Sequence, residues 1–390
     1  MRRIPGFAIV LSIAAVQSVA LAQTVATRTL SKPLAEYPEP FTDIGSIREL
    51  QDGRLIVVDA SELTVRLLDL RAGTETKIGR TGDGPGEYRW PGKLYALPGD
   101  STLLHDNSGG RLLVIKPDGK PGGFFDPNRQ ESDTSLERAR RFTVRAVDSR
   151  GRLYGEAQPV RVGAGGRLEL ADHSAIERLR VSTRARDTVA LWPMRKDANA
   201  RLMNGFVMTQ PRMQAFPAWD HWVVAPDGRI AFVFSDPYRV DFVRADRRVV
   251  QNAPIPYERI HVDDALKRQH REERERPMMA MTVTRGGSSS MQKMSRPYRE
   301  PSEWPEFLPP FLGTAVFAPN GLLWVPRATA AGRPPLFDII NGNGALVERV
   351  ELPSRTKLVG FGANTVYVVR LDEDDLQYLQ RHALPTTARP

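Results

Sequence analysis

The chain contains no cysteine among its 390 residues. This absence excludes disulfide bonds, thiolate metal sites, thiol nucleophiles and a lipid-modified cysteine at a processing site. Stability must therefore come from the core and its hydrogen bonds.

Long apolar runs are missing beyond the first 22 residues. The chain begins MRR, continues through the apolar run FAIVLSIAAV, and reaches ALA at positions 20–22, directly before Gln23. A positive start, a short apolar stretch and an A-x-A site form a secretory signal peptide, and the run is too short to span a membrane. We therefore predict a signal peptide over residues 1–22, a single domain over residues 23–390, and a periplasmic or secreted location without a membrane span.

Blocks of like charge are missing as well. The formal net charge is +9, from 55 Lys and Arg against 46 Asp and Glu, and the two signs alternate along the chain. Nucleic-acid binding usually requires a basic patch or block, so we predict no nucleic-acid partner. The basic surface leaves acidic glycans, nucleotides and anionic headgroups open as ligands.

Local catalytic signatures are also absent. There is no G-x-S-x-G motif of serine hydrolases, and no pair of histidines has the H-x-H or H-E-x-x-H spacing of a zinc site. The sequence therefore identifies no catalytic residue and no cofactor. A site assembled from distant segments stays open, and its histidines would come from His105, His173, His221, His261, His270 and His382.

What the chain does contain is a repeat of short hairpins. Each copy joins a turn dipeptide to an apolar, β-rich run, which is typical of a tight hairpin entering a buried strand. The six copies are QDGRLIVVDAS (51–61), PGDSTLLHDNS (98–108), SRGRLYGEAQP (149–159), PDGRIAFVFSD (226–236), PNGLLWVPRAT (319–329) and GANTVYVVRLD (362–372).

A further strand, tight turn and strand follow each of the first five hairpins, so that each of these repeats supplies four strands. Six such repeats predict an all-β fold, a six-bladed β-propeller of four-stranded antiparallel blades. A β-sandwich, or two smaller β domains, would not account for six matched pairs of turns. The sixth repeat ends before its fourth strand, and we predict that the N-terminal segment 24–32 supplies it and closes the ring.

The stretch GRTGDGPGEYRWP at 79–91 crosses from the last strand of blade one to the first strand of blade two. Its glycines permit sharp corners and its prolines stiffen them. The spacing matches neither of the usual phosphate-binding loops, so we do not interpret it as one.

This crossing resembles the repeat of NHL-type six-bladed propellers over about residues 50–120. The matching positions are Gly79, Gly82, Gly84, Gly86, Glu87, Tyr88 and Pro91, together with Asp59 at the end of the preceding strand. The resemblance implies a six-bladed ring. Amidating lyases of NHL-like fold bring histidines from separate blades to a central zinc, so it also implies an alternative function: a metal-dependent lyase or hydrolase with its site at the mouth of the central channel.

The connections are long at one end of the blades and short at the other. The long ones are 79–91, 158–174, 194–217, 326–336 and an insertion at 259–310 between blades four and five. Strand direction alternates, so all of them fall on one face, and we predict that this loop-rich face binds a small-molecule or protein ligand. We expect the insertion to begin with a solvated helix within HVDDALKRQHREERER, and the protein to be a monomer.

Two residue types in these connections suggest sites. Asp59, Asp106, Asp236 and Asp372 follow second strands, where they either bind calcium as a ring or accept hydrogen bonds from their own turns, and we favour the turns. Apart from Met1, all nine methionines lie in 194–217 or 278–294, outside any predicted strand. They predict an adaptable apolar lid, with Cu(I) binding as the alternative.

The candidate ligand-binding residues lie in the crossing and the insertion. The arginines and aromatic rings of the crossing could clamp or stack on an anionic group, although packing of Tyr88 and Trp90 is the competing interpretation. The predicted set is Arg80, Tyr88, Arg89, Trp90, Met278 and Met281.

Overall fold

The protein is a ring of six four-stranded antiparallel sheets in a computed structural model. The structure describes residues 25–108, 110–129, 141–193, 201–203, 206–208, 214–275, 279–285, 288–294 and 298–386. The predicted signal peptide at residues 1–22 lies outside these residues, as does Met278. The six-bladed β-propeller predicted from the hairpin repeat is confirmed.

Within each blade the strands pair in chain order. Their bounds are Ile44–Glu49, Leu55–Asp59, Thr64–Asp69 and Thr74–Lys77 in blade one; Pro91–Ala96, Thr102–Asp106, Arg111–Ile115 and Pro121–Phe125 in blade two; Val144–Val147, Arg152–Glu156, His173–Arg180 and Arg186–Pro193 in blade three; His221–Val224, Ile230–Ser235, Tyr238–Val243 and Val249–Val250 in blade four; Val316–Phe317, Leu323–Pro326, Leu336–Ile340 and Leu346–Glu351 in blade five; and Thr356–Phe361, Thr365–Leu371 and Gln377–Ala383 in blade six.

The second strand of blade one explains why these apolar runs are continuous. Every residue of Leu55–Asp59 is buried. Because alternate side chains of a strand point to opposite faces, Ile56 and Val58 pack toward blade two, while Leu55 and Val57 pack toward blade six. A strand with a neighbouring blade on each face needs apolar residues at every position.

The ring is closed by an N-terminal strand, as predicted, but by a different segment. Ala35–Glu36 pairs antiparallel with Gln377–Ala383 and becomes the fourth strand of blade six. The predicted segment 24–32 instead contributes Thr27–Thr29, which pairs in parallel with the outer strand of blade five. Alternation in the sequence indicated a strand there, but all three of its residues are exposed and nothing in the pattern specified which blade edge it joins.

Additional hairpins lie outside the blades. Their strands are Val160–Val162 with Leu168–Leu170, Arg201–Met203 with Phe206–Met208, and Met279–Arg285 with Ser288–Met294. The prediction that the methionines avoid strands is therefore wrong, because Met203, Met208, Met279, Met281, Met291 and Met294 all lie in these hairpins. The prediction considered only blade strands, whereas these hairpins are insertions between them.

The insertion begins with helix α1 (Asp264–Glu275), capped by Asp263, whose Oδ1 accepts the Leu266 N–H at 2.9 Å. The expected solvated helix is wrong in one respect, because Leu266 and His270 are buried. These two residues are four apart and share one helix face, which packs against a cluster that includes Leu308 and Ala328. A polar helix thus needs only two such positions to be anchored.

None of the helices in the described part of the chain is long and apolar enough to span a membrane.

Candidate binding site

The glycine-rich crossing is held together by its own side chains. Tyr88 is 2% exposed, its hydroxyl donates to the Ile78 carbonyl at 3.0 Å, and the same oxygen accepts the Val65 N–H at 3.0 Å. Glu87 accepts the Gly84 N–H through Oε2 at 2.8 Å. Tyr88, proposed above as a ligand-binding residue, therefore packs between blades one and two.

Both arginines of the crossing are paired with acids. Arg80 Nε lies 2.5 Å from Glu87 Oε1, and Arg89 pairs with Asp83. The two guanidinium groups are largely exposed, with 83% and 61% of their side chains accessible. Their charge is thus partly compensated inside the crossing, which weakens the case for them as an anion clamp.

Of the four aspartates that follow second strands, Asp59, Asp106 and Asp372 hold turns, as in the favoured interpretation, whereas no such contact is made by Asp236 within the described residues. Asp59 accepts N–H groups from Thr42, Ser61 and Glu62. Burial raises the pKa of Asp59. Burial also acts to raise the pKa of Asp106, but the net shift of that group is downward. Hydrogen bonds outweigh burial there: Ser108 donates through its hydroxyl and its N–H, and the N–H groups of the crossing also donate, so the pKa of Asp106 falls to about 2.

Asp372 accepts two N–H groups of its own turn, from Asp374 and Leu376. In blade four the corresponding contact is made by Asp220, whose Oδ1 accepts the Ser235 N–H and hydroxyl. Within the described part of the chain, no three His, Asp or Glu side chains are grouped so that they could hold a metal ion.

Beside the crossing lies a cavity of about 370 Å³ formed by blades one, two and three. Its lining residues lie where first strands begin and where second strands end. The long connections are at this same end of the blades. Small residues open this space, among them Gly45, Ala60 and Gly92. A Cβ atom added at Gly92 would lie 2.5 Å from the Asn107 amide, so a larger residue there would intrude on the wall.

The cavity contains two cations and no acid. Lys93 and Arg145 both line it, their side chains are exposed, and neither has an ion pair or side-chain hydrogen bond with the residues that the structure describes. The cavity lining includes no Asp or Glu. Desolvation by the surrounding blades, and secondarily the charge of Arg145, lowers the pKa of Lys93.

His105 and Trp90 complete the polar and aromatic wall. His105 Nδ1 lies 2.9 Å from Asn107 Oδ1. Burial lowers the pKa of His105, although the hydrogen bond to Asn107 acts in the opposite direction. The Trp90 indole is 43% exposed and lines the same cavity. Of the predicted site residues in the described part of the chain, Trp90 is the one that the structure brings to this cavity.

Arg80, Tyr88 and Arg89 are not among the residues that line this cavity. Met281 belongs to the hairpin strand Met279–Arg285, whose side chains are outside the description, and Met278 is outside it entirely. Lys93 and Arg145 were missed by the sequence reasoning. The available signal was a basic residue within an otherwise apolar first strand, in KLYAL of blade two and VRAV of blade three.

Two of the other histidines form hydrogen bonds with backbone groups of the fold. His221 Nε2 accepts the Ala315 N–H at 2.9 Å, and its Nδ1–H donates to the Trp219 carbonyl at 2.7 Å. His382 is buried and contacts the Ser31 carbonyl through Nδ1 at 2.6 Å. His221 therefore joins blade four to the start of blade five, and His382 fastens the N-terminal segment.

No protein-family model and no curated protein matches this chain. Among solved structures, a member of the DUF4221 family from Bacteroides vulgatus aligns at 10% identity over 92% of this chain and 98% of that one, with a TM-score of 0.47. Luciferin-regenerating enzyme aligns at 12% identity over 92% and 98%, with a TM-score of 0.41. Regucalcin from Agrobacterium tumefaciens, a calcium-binding protein, aligns at 13% identity over 93% and 97%, with a TM-score of 0.40.

These likenesses are too weak to bear on function, and the six-bladed fold rests on the strand pairing described above. Membership of the NHL-type family stays a prediction from residues 50–120.

Proposed function

We propose that this chain is an exported binding protein that holds a small organic anion in the cavity of blades one to three. The observation that carries the proposal is the pair of cations, Lys93 and Arg145, in a cavity without a single acidic residue. Charged groups that have no partner in the protein are available to a ligand of opposite charge.

The cavity also suits the size and shape of such a ligand. Its volume of about 370 Å³ falls in the range of small-molecule sites, and the half-exposed Trp90 ring offers an apolar surface at its wall. Arg145 provides a permanent charge with a planar fork that matches a carboxylate, and Lys93 adds a second donor. A ligand with one carboxylate and one planar or apolar part fits these three side chains.

Binding of phenyllactate tests the proposal. Isothermal titration of the mature protein should show binding of phenyllactate and much weaker binding of its uncharged amide, phenyllactamide. Arg145→Ala should weaken phenyllactate about tenfold or more, since a hydrogen bond to a charged group contributes about 1.5–3 kcal/mol.

Arg244→Ala is the matched control, because Arg244 is exposed at a turn of blade four and forms no ion pair within the described part of the chain. Equal affinity for phenyllactate and phenyllactamide, or equal effects of the two alanine variants, would reject an anion site in this cavity.

A metal analysis of the same preparation tests the alternative function, a metal-dependent lyase or hydrolase. Stoichiometric zinc or calcium would support that alternative.

A further inference from the structure

Lys93 differs from most lysines of a folded protein in its surroundings. Lys93 lines a cavity together with Arg145, and the residues lining that cavity include no carboxylate. A second cation is an unfavourable neighbour for an ammonium group, whereas a neutral amine is not penalised by it.

We propose that Lys93 forms a reversible imine with carbonyl-bearing organic acids whose carboxylate is held by Arg145. This inference rests on the proposed function, since it names the class of anion, a keto or aldehyde acid, that the same cavity would take.

Three requirements for such a lysine are met. The amine reaches solvent within the cavity, so a ligand can approach it. Desolvation and the nearby Arg145 lower its pKa, which increases the fraction of neutral, nucleophilic amine. Arg145 offers a carboxylate anchor on the same wall, which would fix the carbonyl near the amine and raise its effective concentration.

The covalent step releases one water and involves no oxidation or reduction. The nitrogen lone pair of neutral Lys93 attacks the carbonyl carbon, and a proton passes from nitrogen to the former carbonyl oxygen to give a carbinolamine. The C–O bond then breaks, the oxygen leaves as water, and the nitrogen lone pair forms the C=N bond. His105, which lines the same cavity, would take the second proton from nitrogen and deliver it to the departing hydroxyl.

Reductive trapping provides the test. The mature protein is incubated with phenylpyruvate and cyanoborohydride, which reduces an imine to a stable secondary amine, and the product is mapped by mass spectrometry. We expect one adduct on Lys93, with a mass increase equal to that of phenylpyruvate less one oxygen atom. Labelling should exceed that of Lys116 at least about tenfold, since Lys116 is an exposed residue at the opposite end of the same blade.

Two variants test the imine at Lys93. Lys93→Arg keeps the positive charge but cannot form an imine, so it should lose the adduct. Lys93→Gln should also lose the adduct, which guards against misfolding of one variant, and melting curves verify both folds.

The outcomes are distinct. Phenyllactate binding without an adduct on Lys93 overturns the imine and leaves the anion site standing. Labelling spread equally over surface lysines also overturns it. Absence of phenyllactate binding together with a Lys93 adduct rejects the carboxylate anchor at Arg145, and with it the proposed function.

Discussion

The cavity of blades one to three and the insertion beside blades four and five both contain a histidine and aromatic side chains. They differ in whether their polar groups are buried in packing or exposed. In the insertion, His270 is buried against Phe216, Tyr298 and Trp304, with ring centroids 5.0, 6.3 and 5.3 Å away. In the cavity, Lys93 and Arg145 are exposed and form no ion pair with any residue that the structure describes. The first arrangement fastens a segment to the ring, and the second leaves charge available to a ligand.

This comparison also separates loop length from the location of the site. The longest connection packs through Leu266 and Leu308 beside blades four and five. The cavity is bordered instead by the crossing at 79–91, which is much shorter than the insertion, and by the starts of first strands. A long loop therefore indicates the elaborated face of a propeller, but not the sector of that face where a ligand binds.

The largest expected effect is a loss of stability when the packing of helix α1 against the ring is weakened. Leu266→Ala removes a side chain that is 4% exposed from the cluster under the helix, and should destabilise the protein by about 2–5 kcal/mol. Glu272→Ala, on the exposed face of the same helix, is the control. Thermal melting measures the loss of stability. Phenyllactate affinity should be unchanged, because the helix lies beside blades four and five and the cavity lies in blades one to three. A loss of both stability and affinity would show that the two regions are linked.

A smaller effect is expected at the crossing on the cavity side. Gly86 has a φ of +78°, and an added Cβ would lie 2.9 Å from Pro121 Cβ, so Gly86→Val should cost about 1–3 kcal/mol. Gly84 has no positive φ, and its added Cβ would meet the flexible end of Glu87 at 3.0 Å. Denaturant unfolding should therefore rank Gly86→Val below Gly84→Val in stability, and the reverse order would contradict the geometry.

A modest pH effect should appear on the side of blades four and five. Burial lowers the pKa of His221, whose Nε2 must stay unprotonated to accept the Ala315 N–H. The unfolded chain takes up this proton near the ordinary pKa of about 6.5, while the folded chain resists it, so this part of the stability is present above that pH and falls as pH decreases below it.

The measurement is the melting temperature at neutral and mildly acidic pH. His221→Gln should lose less stability on acidification than the unmodified protein, whereas His173→Gln, at an exposed position of blade three, should behave like the unmodified protein. Identical pH slopes in all three would mean that His221 does not contribute in this way.

The sequence was sufficient for the ring but not for all its details. Hairpin turns followed by runs such as LIVVD predict buried strands because a strand between two blades must be apolar on both faces. The closing strand Ala35–Glu36 is two residues long, too short for any periodic pattern, and it was missed. Burial of Leu266 and His270 was missed because their packing partners lie elsewhere in the chain.

The candidate site was predictable only in part. Trp90 was identified because the crossing is an unusual segment, and it lines the cavity. Arg80 and Arg89 were predicted because their guanidinium groups could clamp an anionic group, yet both form ion pairs with acids of the crossing. Whether an arginine is paired depends on side-chain placement, so Lys93 and Arg145 could be recognised only once three first strands were assembled around one cavity.

The most direct test of the account compares arginines that are paired with the one that is not. Phenyllactate affinity should be measured by titration calorimetry for Arg145→Ala, Arg80→Ala and Arg89→Ala under identical salt. The account predicts a loss of about tenfold or more for Arg145→Ala and little change for the other two. A loss in Arg80→Ala or Arg89→Ala that equals or exceeds the loss in Arg145→Ala would contradict it and move the site to the crossing.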